Sequence, residues 1–132
     1  MRVVADSHAI FWFVTGSPPL SAAAKDALEA AEVTDGIVVS VATLIDLWYV
    51  TQTTQGVTPE GLERLDQAMK ASPVVDLYPL DEAVARKYVT IERKAMRDPW
   101  DRFIVATALA VDVALVTRDE LIRASGLVHT IW

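Results

Sequence analysis

Short apolar runs alternate with longer segments of helical periodicity along this chain. The short runs are four or five residues long and rich in Val, Ile and Leu, which is typical of buried parallel strands. Strands that alternate with helices predict a parallel sheet covered by helices on both faces, with right-handed crossovers. The predicted strands cover residues 2–5, 37–40, 74–78, 114–117 and 128–132.

The segments between these strands carry the signals that begin and end helices. Ser21 and Asp81 are helix-capping residues, and Thr58 and Asp98 each precede a proline, which favours the first turn of a helix. The segment 100–110 is apolar on nearly all sides, so we expect its helix to be buried between other elements. The predicted helices cover residues 7–14, 21–33, 41–52, 58–71, 81–96 and 100–110.

Length and composition narrow the class of protein. The chain has 132 residues, which predicts one domain (1–132) with a real core. It has no cysteine, which excludes disulfides and thiolate metal sites. Polar residues interrupt the apolar start, so we expect no signal peptide, and no apolar run is long enough for a membrane span. The expectation is a soluble cytoplasmic protein. Its 52% hydrophobic content and mean hydropathy of +0.29 suggest a buried oligomer or partner interface.

Four aspartates are predicted to lie near one edge of the sheet. Asp6 and Asp119 follow the first and fourth strands, and ligands of such sheets bind outside the carboxyl ends of strands. Asp46 lies about a turn and a half into the helix after the second strand. Asp101 lies in the first turn of the buried helix, where the helix dipole favours a carboxylate. We therefore expect these acids to converge from distant parts of the chain.

Each of these acids has a simpler explanation on its own, because Asp is common at helix caps and in turns. Asp46 is harder to explain in that way, since it interrupts an apolar helix and a buried carboxylate is costly unless it is paired or bound to a metal. Oxygen ligands without His or Cys suit Mg²⁺ or Mn²⁺. A hard cation held by carboxylates is suited to phosphodiester hydrolysis.

Charge is unevenly distributed along the chain, whose net charge is −6. Residues 1–85 contain four basic and twelve acidic residues, whereas residues 86–132 contain eight basic and six acidic residues. The basic residues of the second part form either a solvated helix face or a rim that contacts phosphates. In the second interpretation, Arg97, Arg102 and Arg118 are the candidate substrate contacts.

Three segments of the chain resemble the PIN domain, and within that family the VapC-type toxins of prokaryotic toxin–antitoxin pairs. They are VVADSHAIFWF, VSVATLIDLWYV and DPWDRFIVATALA with ALVTRDELI. The resemblance implies a three-layer α/β/α sandwich with a five-stranded parallel sheet and an endoribonuclease that depends on Mg²⁺ or Mn²⁺. It also implies a homodimer and a cognate antitoxin partner. By position, the catalytic metal ligands would be Asp6, Asp46, Asp101 and Asp119, with the hydroxyl of Thr117 in support.

One residue departs from the family pattern, which usually has glutamate at the position of Asp46. The shorter side chain moves the carboxylate back by about one bond, whereas productive geometry tolerates only about 0.5 Å. Either the backbone compensates or the metal site is weakened. The alternative function is therefore a catalytically weakened PIN-fold module that binds an antitoxin.

Phosphotransfer proteins on similar sheets fit the sequence less well. A haloacid-dehalogenase-type phosphatase needs a second aspartate two residues after Asp6, where this chain has His8. A receiver domain needs paired acids after the first strand and a late lysine, and neither is evident.

Other polar and aromatic residues are assigned to the scaffold. Asp98 is interpreted as a helix cap, and His8 as a residue of the first helix beside the site. The aromatic residues are interpreted as core, or as a dimer or antitoxin groove if they are exposed. They are Trp12, Trp48, Tyr49 and Trp100.

Overall fold

A computed structural model describes residues 1–53 and 56–132 of the chain. Its five strands form one sheet in the order β3-β2-β1-β4-β5, and every neighbouring pair is parallel. The strands are β1 Val3–Ala5, β2 Ile37–Ser40, β3 Val75–Tyr78, β4 Ala114–Val116 and β5 Thr130–Ile131.

Helices cover both faces of this sheet. They are α1 Ser7–Thr15, α2 Ala22–Glu32, α3 Val41–Thr51, α4 Pro59–Ala71, α5 Glu82–Tyr88, α6 Pro99–Val111 and α7 Glu120–Ser125. Successive side chains of a strand point to opposite faces, so Val3 and Ala5 pack with α1, α2 and α4, whereas Val4 packs with α5, α6 and α7. The predicted three-layer α/β/α sandwich with a five-stranded parallel sheet is confirmed.

The strand order reverses between β1 and β4. The chain moves from β1 outward to β2 and β3 on one side, and later returns to place β4 and β5 on the other side. Ala5 pairs with Val116, and the N–H of Asp6 donates to the carbonyl of Val116 at 3.1 Å. The carboxyl ends of these two strands therefore lie side by side, which is where ligands bind in open parallel sheets.

A side chain caps the beginning of each helix described above. In every case a Ser, Thr or Asp oxygen accepts a hydrogen bond from a backbone N–H of the first turn, which would otherwise lack a partner. The caps of α1, α6 and α7 are aspartates, two of which follow the ends of β1 and β4. They are Asp6, Asp98 and Asp119.

The prediction of a long helix over 81–96 is wrong, because α5 ends at Tyr88. The three residues after it, Val89, Thr90 and Ile91, are β-branched and disfavour helix. The hydroxyl of Thr90 bonds the carbonyl of Lys87, and the chain turns so that Ile91 is buried. Burial of Met96 shortly afterwards fixes the path into α6.

The sequence pattern did not predict α7, whose six residues are too few to show a helical period. The predicted last strand is also shorter than expected, since β5 covers only Thr130–Ile131. No helix within residues 1–53 and 56–132 has the length and apolarity needed to cross a membrane.

Candidate active site

A cavity of about 260 Å³ opens at the carboxyl ends of β1 and β4. The four predicted acids all line it, together with a fifth carboxylate and one arginine. We call it the acid cavity. Its lining residues are Asp6, Ser7, His8, Asp46, Val50, Asp98, Asp101, Ile104, Arg118 and Asp119.

Asp6 is buried and held by two donors. One carboxylate oxygen accepts the N–H of Ala9 at 2.9 Å, because Asp6 caps α1. The other oxygen accepts a hydrogen bond from the hydroxyl of Thr117. Burial is the main cause that raises the pKa of Asp6 to about 6; these two bonds oppose the rise, and the charges of Asp119 and Asp46 add to it.

Asp46 reaches the acid cavity from α3. One of its carboxylate oxygens accepts a hydrogen bond from the hydroxyl of Ser7, the residue after Asp6. Burial raises the pKa of Asp46, and the bond from Ser7 opposes that rise. This bond holds the short side chain against α1, 39 residues away in sequence.

Asp101 lies in the first turn of α6, behind the cap formed by Asp98. The carboxylate of Asp98 accepts the N–H of Trp100 at 2.8 Å and that of Asp101 at 3.2 Å, so its interpretation as a helix cap agrees with the structure. Burial, and after it the negative charges of the other four acids of the cavity, raise the pKa of Asp101 to about 7.

Asp119 completes the set from the end of β4. Its carboxylate accepts the N–H of Ile122 at 2.9 Å and so caps α7. Its own N–H donates to the hydroxyl of Thr117 at 3.0 Å. The cavity therefore brings together acids from the beginnings of α1, α6 and α7 and from the middle of α3.

The donor set suits a hard divalent cation, because it consists of carboxylate and hydroxyl oxygens whose mutual repulsion a cation would remove. Within residues 1–53 and 56–132, no group of three or more His, Cys, Asp or Glu side chains is arranged as a preformed metal site. The carboxylates of the acid cavity still fit Mg²⁺, because that ion usually keeps several waters and binds only one or two carboxylates directly. The acid cavity has room for a hydrated ion, since a water occupies about 30 Å³.

The structure brings one of the three candidate arginines to the acids. Arg118 lines the acid cavity, and its guanidinium carbon lies 4.6 Å from the centre of the Trp12 ring. Arg102 instead lies over the ring of Tyr88 at 4.7 Å. Arg97 lines a separate, open pocket of about 660 Å³ together with Glu92, Arg93 and Lys94.

Five residues of the cavity were not among the predicted site residues: Ser7, His8, Val50, Asp98 and Ile104. Ser7 is a cavity residue because α1 begins directly at the strand end, and its position after Asp6 was the available signal. His8 lines the same cavity, and burial lowers its pKa. Its ring centre lies 5.1 Å from that of Trp12.

Two of the aromatic residues are exposed and so are not core, which leaves the alternative interpretation of a dimer or antitoxin groove for them. Trp48 is 53% exposed and Tyr49 is 50% exposed, because both project from the outer face of α3.

Comparison with known proteins supports the family inferred from the motifs. The sequence profile of the PIN domain matches residues 3–125 of the chain. This chain belongs to the PIN-domain family. It is 31% identical over 123 residues to ribonuclease VapC22 of Mycobacterium tuberculosis, and the match covers 92% of this chain and 90% of that protein. That relative places this PIN-domain protein among the VapC-type ribonucleases.

Solved structures share the fold at lower identity. VapBC2 from Rickettsia felis, bound to a promoter DNA fragment, gives a TM-score of 0.70 at 15% identity and covers 98% of this chain and 97% of its own. Mycobacterium tuberculosis VapC20, a toxin that cleaves the sarcin–ricin loop, has a TM-score of 0.63 at 17% identity. The match covers 94% of this chain and 95% of that chain. Both likenesses extend over nearly the whole PIN-domain chain, so the fold is shared from end to end.

Proposed function

We propose that this PIN-domain protein is a divalent-metal-dependent endoribonuclease that acts as the toxin of a type II toxin–antitoxin pair. The observation that carries the proposal is the convergence of Asp6, Asp46, Asp101 and Asp119 on one cavity at the reversal of strand order. Membership of the VapC-type ribonucleases supports cleavage of RNA as the reaction.

The proposed ion is Mg²⁺ or Mn²⁺, held by those four acids either directly or through its bound waters. When bound, such an ion lowers the pKa of a water and neutralises charge on the phosphate. Thr117 and Ser7 orient two of the carboxylates through the hydrogen bonds described above, and orientation of ligands by such neighbours strongly affects metal affinity. Arg118 stands at the rim of the acid cavity, where its guanidinium would bind a phosphate oxygen of the substrate strand.

A catalytically weakened binding module is the second candidate function. Two observations favour it: Asp46 stands where the family usually has glutamate, and one of its oxygens accepts a bond from Ser7. In this alternative the protein would keep its fold and its antitoxin partner but would bind the cation poorly. A direct assay of RNA cleavage distinguishes the nuclease from the binding module.

The proposed partners are an RNA substrate, a cognate antitoxin and a second copy of the chain. Antitoxin binding is supported by the likeness to structures of VapBC complexes, among them that from Rickettsia felis. The homodimer and the cytoplasmic location stay predictions.

The test is cleavage of RNA by the purified protein, freed of any antitoxin, in Mg²⁺, in Mn²⁺ and in EDTA. We expect cleavage with either ion, none in EDTA, and none from Asp119→Asn under any condition. Asp26→Asn is a matched control, because it removes the same charge from an exposed position on α2. Cleavage that continues in EDTA or in Asp119→Asn would refute the proposed mechanism, and its absence from the wild type would favour the binding module.

A further inference from the structure

The ring of Trp12 packs against two residues that line the acid cavity. The guanidinium carbon of Arg118 lies 4.6 Å from the centre of this ring, and the ring of His8 is centred 5.1 Å from it. Arg118 and His8 both line the cavity. Trp12 is therefore joined to the cavity by contacts from two sides, the end of β4 and the beginning of α1.

The ring of Trp12 is held in place by the elements around it. The ring of Trp132, which follows β5, is centred 6.1 Å away at an interplanar angle of 55°. Trp12 also packs against the core that α1, α2 and α4 form with the sheet, and its carbonyl accepts the N–H of Ser17 at 2.9 Å. A large ring braced in this way offers a fixed face to a cation, and tryptophan is the best of the aromatic side chains for that contact.

The backbone on both sides of Arg118 is fixed, so its side chain alone decides what the guanidinium contacts. Thr117 is fully buried, and its N–H donates to the carbonyl of Ile131 at 3.2 Å. The N–H of Asp119 donates to the hydroxyl of Thr117 at 3.0 Å. From this position the guanidinium has two kinds of neighbour, the carboxylates of the acid cavity and the ring of Trp12.

Arg118 contacts the ring rather than the acids. A guanidinium ordinarily favours a carboxylate, because two of its N–H groups can bond the two oxygens in parallel. Five aspartates line the same cavity, yet the salt bridges within residues 1–53 and 56–132 include none that involves Arg118. A guanidinium paired with these acids would occupy oxygens that a divalent cation needs, and its charge would repel that cation. The contact with Trp12 therefore bears on metal binding.

We propose that Trp12 is a positioning residue of the metal site. By holding the guanidinium of Arg118 on its ring, it keeps that cation off the carboxylates and leaves their oxygens available to a divalent ion. The divalent ion itself rests on the function proposed above. In this role Trp12 acts through Arg118 and needs no contact with the ion. The same placement leaves the guanidinium at the rim of the acid cavity, where a phosphate of the substrate can reach it.

Calorimetric titration of the metal-free protein with Mn²⁺ tests this role in a double-mutant cycle. The variants are Trp12→Leu, Arg118→Gln and the two combined. Leucine keeps apolar bulk on α1 but offers no ring face, so the guanidinium is free to pair with the acids. Trp12→Phe, alone and combined with Arg118→Gln, gives the same comparison with a smaller ring if the leucine variant does not fold.

Two controls accompany the cycle. Arg64→Gln, on the exposed face of α4, removes a positive charge away from the acid cavity. It should bind Mn²⁺ as the wild type does. Circular dichroism of each variant reports whether it is folded.

The contact between a cation and an aromatic face corresponds to a factor of about 2 to 30 in an equilibrium constant. We expect Trp12→Leu to weaken Mn²⁺ binding by a factor in that range, and Trp12→Phe to weaken it less. Arg118→Gln should bind Mn²⁺ at least as tightly as the wild type, because a positive charge beside the site is gone. The double variant should match Arg118→Gln, since without the guanidinium the ring has nothing to hold.

A purely structural role of Trp12 predicts a different pattern, in which its loss weakens Mn²⁺ binding equally with and without the guanidinium of Arg118. That result, or equal affinity in the wild type and Trp12→Leu, overturns the proposal. The proposed function is decided separately, because calorimetry requires no cleavage. A protein that shows the predicted dependence on Arg118 but never cleaves RNA refutes the nuclease and leaves the role of Trp12 intact. A protein that cleaves RNA without this dependence keeps its function and excludes the role.

Discussion

The hydroxyl of Thr117 donates a hydrogen bond to the carboxylate of Asp6 across 111 positions of the sequence. The same hydroxyl accepts the N–H of Asp119 at 3.0 Å. One buried side chain thus links the acids that follow β1 and β4, the two strands between which the strand order reverses. It fixes the orientation of Asp6 and the path of the chain into α7.

Replacement of Thr117 by valine should impair cleavage without unfolding the protein. Valine keeps the shape of the side chain but removes the donor, so the carboxylate of Asp6 loses one of its two partners. Loss of such a partner typically costs about 10- to 100-fold in metal affinity or activity. Single-turnover cleavage measures the effect, and Thr117→Ser, which keeps the hydroxyl, should retain most of the rate. A valine variant as active as the wild type would remove Thr117 from the site.

The metal-free protein should lose stability as pH rises from about 4 to about 7. Burial raises the pKa of Asp6 to about 6 and that of Asp101 to about 7, above their value of 3.8 in an unfolded chain. The folded protein therefore keeps protons that the unfolded chain has released, and the stability they provide disappears as pH passes through 6 and 7.

Thermal melting in EDTA measures this dependence, with the double variant Asp6→Asn, Asp101→Asn for comparison. The variant should lose less stability than the wild type over the same pH range, because it lacks the two carboxyls. Saturating Mg²⁺ should reduce the loss in the wild type. Identical slopes for wild type and variant would show that these carboxyls do not have the raised pKa values.

Asp46→Glu tests whether the shorter side chain limits the site. If Asp46 is a metal ligand that lost a methylene, the glutamate should tighten metal binding or raise the cleavage rate. If α3 has moved inward to compensate, the longer side chain should crowd the cavity and weaken both. In either case Asp46→Ala should weaken both, and Ser7→Ala is the control that removes only the hydrogen bond. No change in metal affinity or cleavage from either substitution at Asp46 would exclude it from the site.

Arg118 should account for part of the salt dependence of RNA binding. A guanidinium that contacts a phosphate releases counterions when RNA binds, so Arg118→Gln should weaken binding and reduce the slope of log affinity against log salt by about one. Binding in EDTA across a salt series gives both values. Arg64→Gln, on the exposed face of α4, is the control for a general loss of charge. An unchanged slope in Arg118→Gln would show that Arg118 contacts no phosphate and only packs on the ring of Trp12.

The sequence predicted the parts of the fold that local signals specify. The bounds of β2 were predicted in full, and the end of α4 at Ala71 was also placed correctly. Thr58-Pro59 and Asp98-Pro99 marked helix beginnings because capping and proline chemistry act within one turn. The convergence of Asp6 and Asp119 followed from the rule for parallel sheets, which depends only on the order of elements.

Features that depend on distant neighbours were not predictable in the same way. The periodicity after Asp81 continues past Tyr88, where the β-branched residues weaken the helix and burial of Ile91 and Met96 against other elements turns the chain away from it. The bond between Ser7 and Asp46 joins two helices, so neither segment shows it alone. The exposure of Trp48 depends on which face of α3 meets the core, and an apolar helix gives no local sign of that choice.

Titration of the purified, metal-free protein with Mn²⁺ by calorimetry tests the central claim most directly. The account predicts binding at the acid cavity that Asp6→Asn and Asp119→Asn each weaken by about tenfold or more, while Asp26→Asn leaves it unchanged. Circular dichroism of each variant confirms that the fold is intact. Equal Mn²⁺ affinity in the wild type, Asp6→Asn and Asp119→Asn would contradict the assignment of these acids to a metal site.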